Sequence, residues 1–66
     1  MVNYNKLWKL LIDKNLTKKQ LSEAAGLSSS TMAKLKKGEN LTTGVLCRIC
    51  KTLECDFKDI MEYIPE

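Results

Sequence analysis

The sequence has no histidine, one proline and four aromatic residues among its 66 positions. It has no glycine-rich phosphate loop, and no nucleophile has an evident base beside it, so the usual components of a catalytic site are missing. A chain of this length is also too short to wrap a substrate pocket. We therefore expect no enzyme, no cofactor and no small-molecule substrate.

Long hydrophobic runs are also missing. No apolar stretch approaches the roughly 20 residues that span a bilayer. The stretch Leu10–Ile12 is too short for the core of a signal peptide and has lysines on both sides. These absences exclude a membrane protein and predict a cytoplasmic one.

Positive charge is concentrated in the first 38 residues, which contain eight lysines and only two acidic residues, Asp13 and Glu23. The remaining residues contain three basic and six acidic side chains. The two parts carry +6 and −3, which together make the net charge of +3. Such a division suits a polyanion bound on one side of the domain. Taken alone, however, it is better explained by a solvated lysine face.

Strand signals are weak throughout the chain, because β-branched residues are few, no apolar run has a period of two, and proline is absent before Pro65. An all-α fold is therefore expected. One pattern occurs five times: an apolar residue, a capping residue, and an apolar residue four positions after the cap. The cap accepts from a free backbone N–H, and the two apolar groups close as a hydrophobic staple. The five instances are Val2-Asn3-Leu7, Leu16-Thr17-Leu21, Leu27-Ser28-Met32, Leu41-Thr42-Leu46 and Cys55-Asp56-Ile60.

These caps predict five helices in a single domain spanning residues 1–66. The helices are expected at about 4–14, 18–25, 29–37, 43–53 and 57–63. Gly26 and Gly38 stand where the second and third must stop, since glycine accepts the left-handed conformation without penalty. Gln20 follows Thr17 at the spacing of a capping box, and Asp59 follows Asp56 in the same way.

Residues 17–38 have the form of a helix-turn-helix. Two helices of about eight residues are joined by a three-residue turn that contains Gly26. The second helix is apolar at Met32 and Leu35 and polar on its early outer face. Packing the apolar side on the first helix leaves the N-terminal face of the second free to enter a major groove.

With these residues the chain resembles the lambda-repressor-like family, the Cro/C1 or XRE-type helix-turn-helix regulators. The similarity is carried by Leu21-Ser22-x-x-Ala25-Gly26-Leu27-Ser28 and by Met32-x-x-Leu35-x-x-Gly38. Segments Leu7–Leu11, Leu46–Leu53 and Asp59–Met61 resemble a compact bacterial subfamily, the YozG group. The resemblance implies a five-helix DNA-binding domain that regulates transcription. It is expected to act as a homodimer on an inverted repeat of double-stranded DNA.

By position, the resemblance implies that Ser29, Ser30 and Lys34 read bases and that Thr17 and Lys18 contact the DNA backbone. A lysine donates well to guanine, whereas serine hydroxyls suit any base and read sequence weakly. Further backbone contacts are expected from residues around the two helix starts and the lysines near them. The full backbone set is Thr17, Lys18, Lys19, Ser28, Thr31, Lys36 and Lys37.

Two alternatives to that function stay open. A protein-interaction adaptor or antirepressor would keep the fold without binding DNA, and the run Ser28–Thr31 favours it because it lacks Gln, Asn and Arg. A thiol- or metal-responsive regulator would use Cys47, Cys50 and Cys55. A closed zinc site needs four ligands, and only three thiols and no histidine are present. We expect no metal and three buried or half-buried free thiols, with a disulfide as the least favoured state.

The sequence also supports expectations for three further pairs of residues. Many relatives bury an Arg–Glu pair where this chain has Leu11 and Lys36, so an apolar contact should replace the ion pair at little cost. Tyr4 and Trp8 are expected as partly exposed aromatics that cover the core, with a binding surface as the alternative. Tyr63 and Ile64 are candidates for a dimer interface, and a frayed terminus explains them equally well.

Overall fold

The computed structural model describes residues 1–65. It contains four α-helices: α1 (Asn5–Asp13), α2 (Lys18–Ala25), α3 (Ser29–Lys37) and α4 (Thr43–Leu53). A 3-10 helix, Phe57–Asp59, follows α4. Two short strands, β1 (Val2–Asn3) and β2 (Glu62–Tyr63), form an antiparallel pair that joins the two ends of the chain.

Helices α2, α3 and α4 begin and end where the sequence predicts. The Thr17 hydroxyl accepts from the backbone N–H of Gln20 at 3.1 Å, and the Gln20 side chain accepts from the Thr17 N–H at 2.8 Å. The Ser28 and Thr42 hydroxyls cap α3 and α4 by accepting from the N–H groups of Thr31 and Val45. Gly26 and Gly38 end α2 and α3 with φ of 66° and 74°. These boundaries are confirmed because each depends on bonds made within a few residues.

The predicted cap of α1 is wrong. The helix starts at Asn5, one residue later than expected, and no side chain caps it at Tyr4. Asn3 lies in β1, where its side-chain oxygen accepts from the Asn5 N–H at 3.2 Å. The pairing of β1 with β2 therefore replaces helical structure at this end.

The predicted fifth helix over residues 57–63 is also wrong, so the described fold is mostly helical, as expected, but has four α-helices and a small strand pair in place of five helices. Asp56 and Asp59 form the expected capping box, but it starts only one turn, Phe57–Asp59. The chain then extends, and β2 pairs with β1 in the register Val2 with Tyr63 and Asn3 with Glu62. Local caps specify where a turn begins, whereas this strand depends on a partner about 60 positions away in the chain.

One hydrophobic cluster lies between the helices, and every α-helix and the segment after the 3-10 helix contribute to it. Side chains that are completely or almost completely buried contribute about 1.5–3 kcal/mol each. No polar or charged residue among those described is buried. The buried residues are Tyr4, Leu7, Leu11, Leu21, Ala25, Leu27, Met32, Leu35, Leu46, Ile49, Leu53 and Ile60.

Across residues 1–65, no helix has both the length and the apolar character needed to cross a membrane.

Candidate nucleic-acid interface

The turn between α2 and α3 is fixed from both sides. The Leu27 N–H donates to the Ser22 carbonyl at 2.9 Å, and the Ser22 hydroxyl donates to the Leu27 carbonyl at 3.1 Å. The Leu27 side chain is buried in the core. Arg48 on α4 donates to the Gly26 carbonyl at 3.4 Å. These contacts hold the angle between the two helices, so the exposed face of α3 has a set orientation.

Helix α3 has one buried and one exposed face. Met32 and Leu35 lie in the core. The outer face contains the three residues that were predicted to read bases, and all of them are exposed: Ser29, Ser30 and Lys34. Lys36 and Lys37 are exposed as well. The helix therefore presents hydroxyl and ammonium groups to solvent while its apolar side holds it in place.

The hydroxyl groups at the start of α3 bond to one another. Ser28 accepts from the Thr31 N–H at 3.1 Å and donates to the Thr31 hydroxyl at 2.9 Å. The hydroxyl oxygens of Ser28 and Ser30 lie 3.1 Å apart. The Ser30 hydroxyl thus takes part in the cap. The side chains of Ser29 and Lys34 are the less constrained among the three residues predicted to read bases.

A groove of about 250 Å³ separates the start of α2 from α3. Three lysines line it, Lys18, Lys19 and Lys36, together with Ser22, Ser29 and Met32. Three ammonium groups around one opening create a positive potential that suits phosphate oxygens. Lys37 lies outside this groove and lines a neighbouring one of about 220 Å³, beside Gly38 and β1.

The lysines at the end of α3 also have a structural explanation. Lys34, Lys36 and Lys37 occupy its last turn, where positive charge interacts favourably with the negative end of the helix dipole. This interaction is worth only about 0.3–1 kcal/mol at a surface. This weak interaction explains a preference for lysine in the last turn. The positive charge of the three side chains remains available to attract an anion.

Trp8 was expected to cover the core, with a binding surface as the alternative, and it was not among the residues assigned to DNA. The ammonium group of Lys18 lies 4.4 Å from the centroid of the Trp8 ring, in cation–π geometry. Trp8 is half-buried and packs against the core. The two residues lie on different helices, so no local pattern in the sequence signals the contact.

Tyr4 is buried rather than partly exposed, which corrects the expectation for it. Only 2% of its surface is accessible, and burial raises the pKa of its phenol above the ordinary value. Its hydroxyl donates to the Glu39 carbonyl at 3.1 Å. The Glu39 N–H in turn donates to the Lys34 carbonyl at 2.9 Å. Tyr4 thereby anchors the loop that leaves α3.

Leu11 and Lys36, which were expected to replace an ion pair, differ in their surroundings. Leu11 is buried in the core cluster, and Lys36 is exposed. Lys36 lines the lysine-rich groove instead. Leu11 is thus a core residue, whereas Lys36 is a surface cation.

The three cysteines are free thiols. Cys50 and Cys55 are half-buried, whereas Cys47 is exposed, against the expectation that all three would be covered. Burial, followed by the neighbouring Cys55, raises the pKa of Cys50 to about 11. Within residues 1–65, no group of three or more cysteine and acidic side chains is arranged to hold a metal ion.

The two candidates for a dimer interface are not equivalent. Tyr63 lies in β2 with 70% of its surface exposed. Ile64 is half-buried, and its N–H donates to the Met1 carbonyl at 2.8 Å. Tyr63 therefore lies in a paired strand, not in a frayed end.

Comparisons with known proteins agree on this architecture. Residues 6–66 match the family described as the Cro/C1-type HTH DNA-binding domain. Among solved structures, the chain is similar to the transcriptional regulator VanUg. The two share 58% identity at a TM-score of 0.95, over 98% of this chain and 87% of that one. The search of curated proteins finds no significant match.

Proposed function

The chain belongs to the Cro/C1-type helix-turn-helix DNA-binding family, and we propose that it regulates transcription by reading the major groove with α3. The observation that carries this proposal is the exposed face of α3, which holds Lys34, together with the groove between α2 and α3 that three lysines line. Major-groove width admits one α-helix. A rigid helix with a bare polar face and flanking cations has the form required for that contact.

Base reading is assigned to Ser29, Ser30 and Lys34. The Lys34 ammonium can donate to O6 and N7 of guanine. Ser29 offers a hydroxyl to either type of base, and Ser30 does so less readily because its hydroxyl contacts Ser28. With one strong reader, base preference should be modest, and DNA shape should contribute a large share of the specificity.

Phosphate contacts are assigned to the residues around both helix starts and to the adjoining lysines. The Thr17 hydroxyl accepts from Gln20, so its hydrogen remains available to donate to a phosphate oxygen. Thr31 accepts from Ser28 and has its own hydroxyl hydrogen available in the same way. Ser28 acts through the cap, which places the first N–H groups of α3. The lysines in this set are Lys18, Lys19, Lys36 and Lys37.

A homodimer on an inverted repeat completes the proposal, with Tyr63 and Ile64 near the contact between copies. Two reading helices on one face of DNA place their half-sites about one helical turn, roughly 34 Å, apart. A single short helix with one strong base contact gives limited specificity, so a second copy would raise it.

The test is selection of duplexes from a randomised DNA pool, followed by fluorescence titration at several salt concentrations. Lys34→Ala should change base preference. Lys37→Ala should weaken binding to all duplexes and reduce the salt slope by about one. Lys51→Ala is the matched control, because Lys51 is an exposed lysine on α4 outside both grooves. Failure of the folded protein to enrich any duplex at low salt would contradict the proposal.

A protein-interaction adaptor or antirepressor is the second candidate. It is favoured by the hydroxyl contacts among Ser28, Ser30 and Thr31, which reduce the number of groups available to bases. An adaptor would not bind DNA and would therefore not show the salt-dependent binding that phosphate contacts produce. The salt titration therefore separates the two functions.

A further inference from the structure

One groove of the described part of the chain lies away from the residues assigned to DNA. It has a volume of about 420 Å³ and runs between α4, the 3-10 helix and β2. Its apolar lining is Val2, Leu46, Phe57, Met61 and Tyr63. Phe57 and Tyr63 are 37% and 70% exposed. Exposed apolar side chains gathered at one groove with a polar rim are typical of a protein–protein contact.

The strand beside this groove has an open edge. Ile64 donates to the Met1 carbonyl at 2.8 Å, and the Met1 amino group lies 3.4 Å from the Ile64 carbonyl. Bonded and non-bonded pairs alternate along antiparallel strands. The next pair, Val2 with Tyr63, is therefore of the non-bonded kind. The N–H and C=O groups of Tyr63 then point away from β1, towards the outer edge of β2.

The charges at the rim of the groove are complementary to the same charges on a second copy of the chain. Lys58 and Glu62 line it together and carry opposite signs. In a contact with two-fold symmetry, each residue of one copy meets the same partner position on the other. A two-fold axis close to Tyr63 would bring Lys58 of each copy to Glu62 of the other, which gives two ion pairs.

We propose that a second copy of this chain docks on this face, with β2 pairing antiparallel to β2 around Tyr63 and with Phe57 covered by the contact. This inference rests on the proposed function, for which it supplies the dimer interface. Main-chain bonds at the strand edge would provide the register, as in other strand additions. The apolar groove and the crossed ion pairs would make the face specific for its own copy.

The size of the surface limits the strength of this dimer. The chain exposes 4512 Å² in total, and a standard interface covers about 800 Å² on each partner. One two-residue strand and one groove offer less than that. The dimer is therefore weak in free solution and is completed on DNA, where two adjacent half-sites raise the effective concentration of the copies.

The test reverses each of the two charges in a separate variant and then mixes the two variants. Lys58→Glu and Glu62→Lys each place like charges across the two-fold axis, so each variant should self-associate about five- to tenfold more weakly than the unmodified protein. An equimolar mixture of the two restores both ion pairs between unlike copies. The mixture should associate at least as tightly as the unmodified protein. Sedimentation equilibrium from about 10 µM to 1 mM, without DNA, measures all four samples.

A mixture that associates no better than the separate variants would overturn the proposal, and so would an unmodified protein that stays monomeric to 1 mM. If a charge variant does not fold, Tyr63→Lys replaces it, with Ile12→Lys as control because Ile12 is 74% exposed and lies outside this groove. Loss of association in the control as well would equally overturn it. Single half-site DNA, titrated in parallel, tests the proposed function independently, since one copy suffices to bind it.

Discussion

The ammonium group of Lys18 lies 4.4 Å above the ring of Trp8. Lys18 is the first residue of α2, and Trp8 is a half-buried residue of α1. The contact restrains a long, flexible side chain at the rim of the groove between α2 and α3. An ammonium group has three donors, so a cation that rests on the ring still has N–H groups directed to solvent. Trp8 thereby holds one of the lysines proposed to bind phosphate near the groove.

Replacement of Trp8 by leucine should weaken DNA binding about two- to fivefold, since an exposed cation–π contact is worth about 0.5–1 kcal/mol. Base preference should not change, because Lys18 is assigned to phosphate. Titration of a selected duplex with the folded variant measures this effect. Trp8→Phe keeps a ring and should lose less. Tighter binding by Trp8→Leu would mean instead that the ring competes with phosphate for Lys18.

The features that could be predicted from the sequence are those that neighbouring residues determine. The starts of α2, α3 and α4 follow from Thr17, Ser28 and Thr42, each of which bonds to an N–H three residues ahead. The strand at Glu62–Tyr63 could not be predicted in this way, because its hydrogen-bond partner lies at the opposite end of the chain.

The candidate DNA surface also has features that could be predicted from the sequence and features that could not. The exposed polar face of α3 follows from helical spacing, which places Met32 and Leu35 inside and Lys34 outside. The contact of Trp8 with Lys18 and the anchoring of the loop after α3 by Tyr4 join different elements. The partners in these two contacts meet only because α1 packs against the rest of the domain, and no local sequence pattern predicts that packing.

The capping box of α2 should be a measurable part of the stability. Thr17→Ala removes the side-chain acceptor of the Gln20 N–H and should lower the free energy of unfolding by about 0.5–2 kcal/mol. Thr17→Ser keeps the acceptor and should recover most of the loss. Urea unfolding followed by circular dichroism measures the difference. Thr43→Ala is the control, since Thr43 is exposed and follows the cap of α4; an equal loss there would show that the effect is not due to capping.

Tyr4→Phe should lower the free energy of unfolding by about 0.5–1.5 kcal/mol, because it removes the hydroxyl that bonds to the Glu39 carbonyl. Tyr63→Phe should have no such effect, as Tyr63 is largely exposed. Urea unfolding at neutral pH and low protein concentration compares the two. Similar losses in both variants would show that the Tyr4 hydrogen bond adds nothing to stability.

Tyr4→Phe should also change how the free energy of unfolding responds to alkaline pH. Burial raises the pKa of Tyr4 above its ordinary value of 10.0, so the folded chain keeps this proton longer than the unfolded chain does. Its contribution to stability is complete below pH 10 and is lost as the pH rises through the folded pKa. Tyr4→Phe should therefore flatten the fall of stability above pH 10. The two proteins differ only at this residue, so the difference between the two curves isolates Tyr4.

The three thiols should react with iodoacetamide at very different rates. The thiolate is the reactive form, and a pKa of about 11 leaves Cys50 with about a hundredfold less thiolate at pH 8 than a thiol at 9.0 would have. Cys47 is exposed, whereas Cys50 and Cys55 are half-buried. Cys47 should therefore be alkylated first and Cys50 last, in a time course followed by peptide mass spectrometry. Equal rates at Cys47 and Cys50 would contradict the partial burial of the Cys50 side chain.

Protein alkylated only at Cys47 also tests the thiol-responsive alternative. Cys47 lies on α4, outside the lysine-lined groove between α2 and α3, so its modification should leave DNA affinity unchanged. Gel-shift titration of the singly alkylated protein against the unmodified protein makes the comparison, and Cys47→Ser serves as the control that cannot react. Loss of binding in the alkylated protein, with normal binding by Cys47→Ser, would show instead that modification of this thiol controls the interaction with DNA.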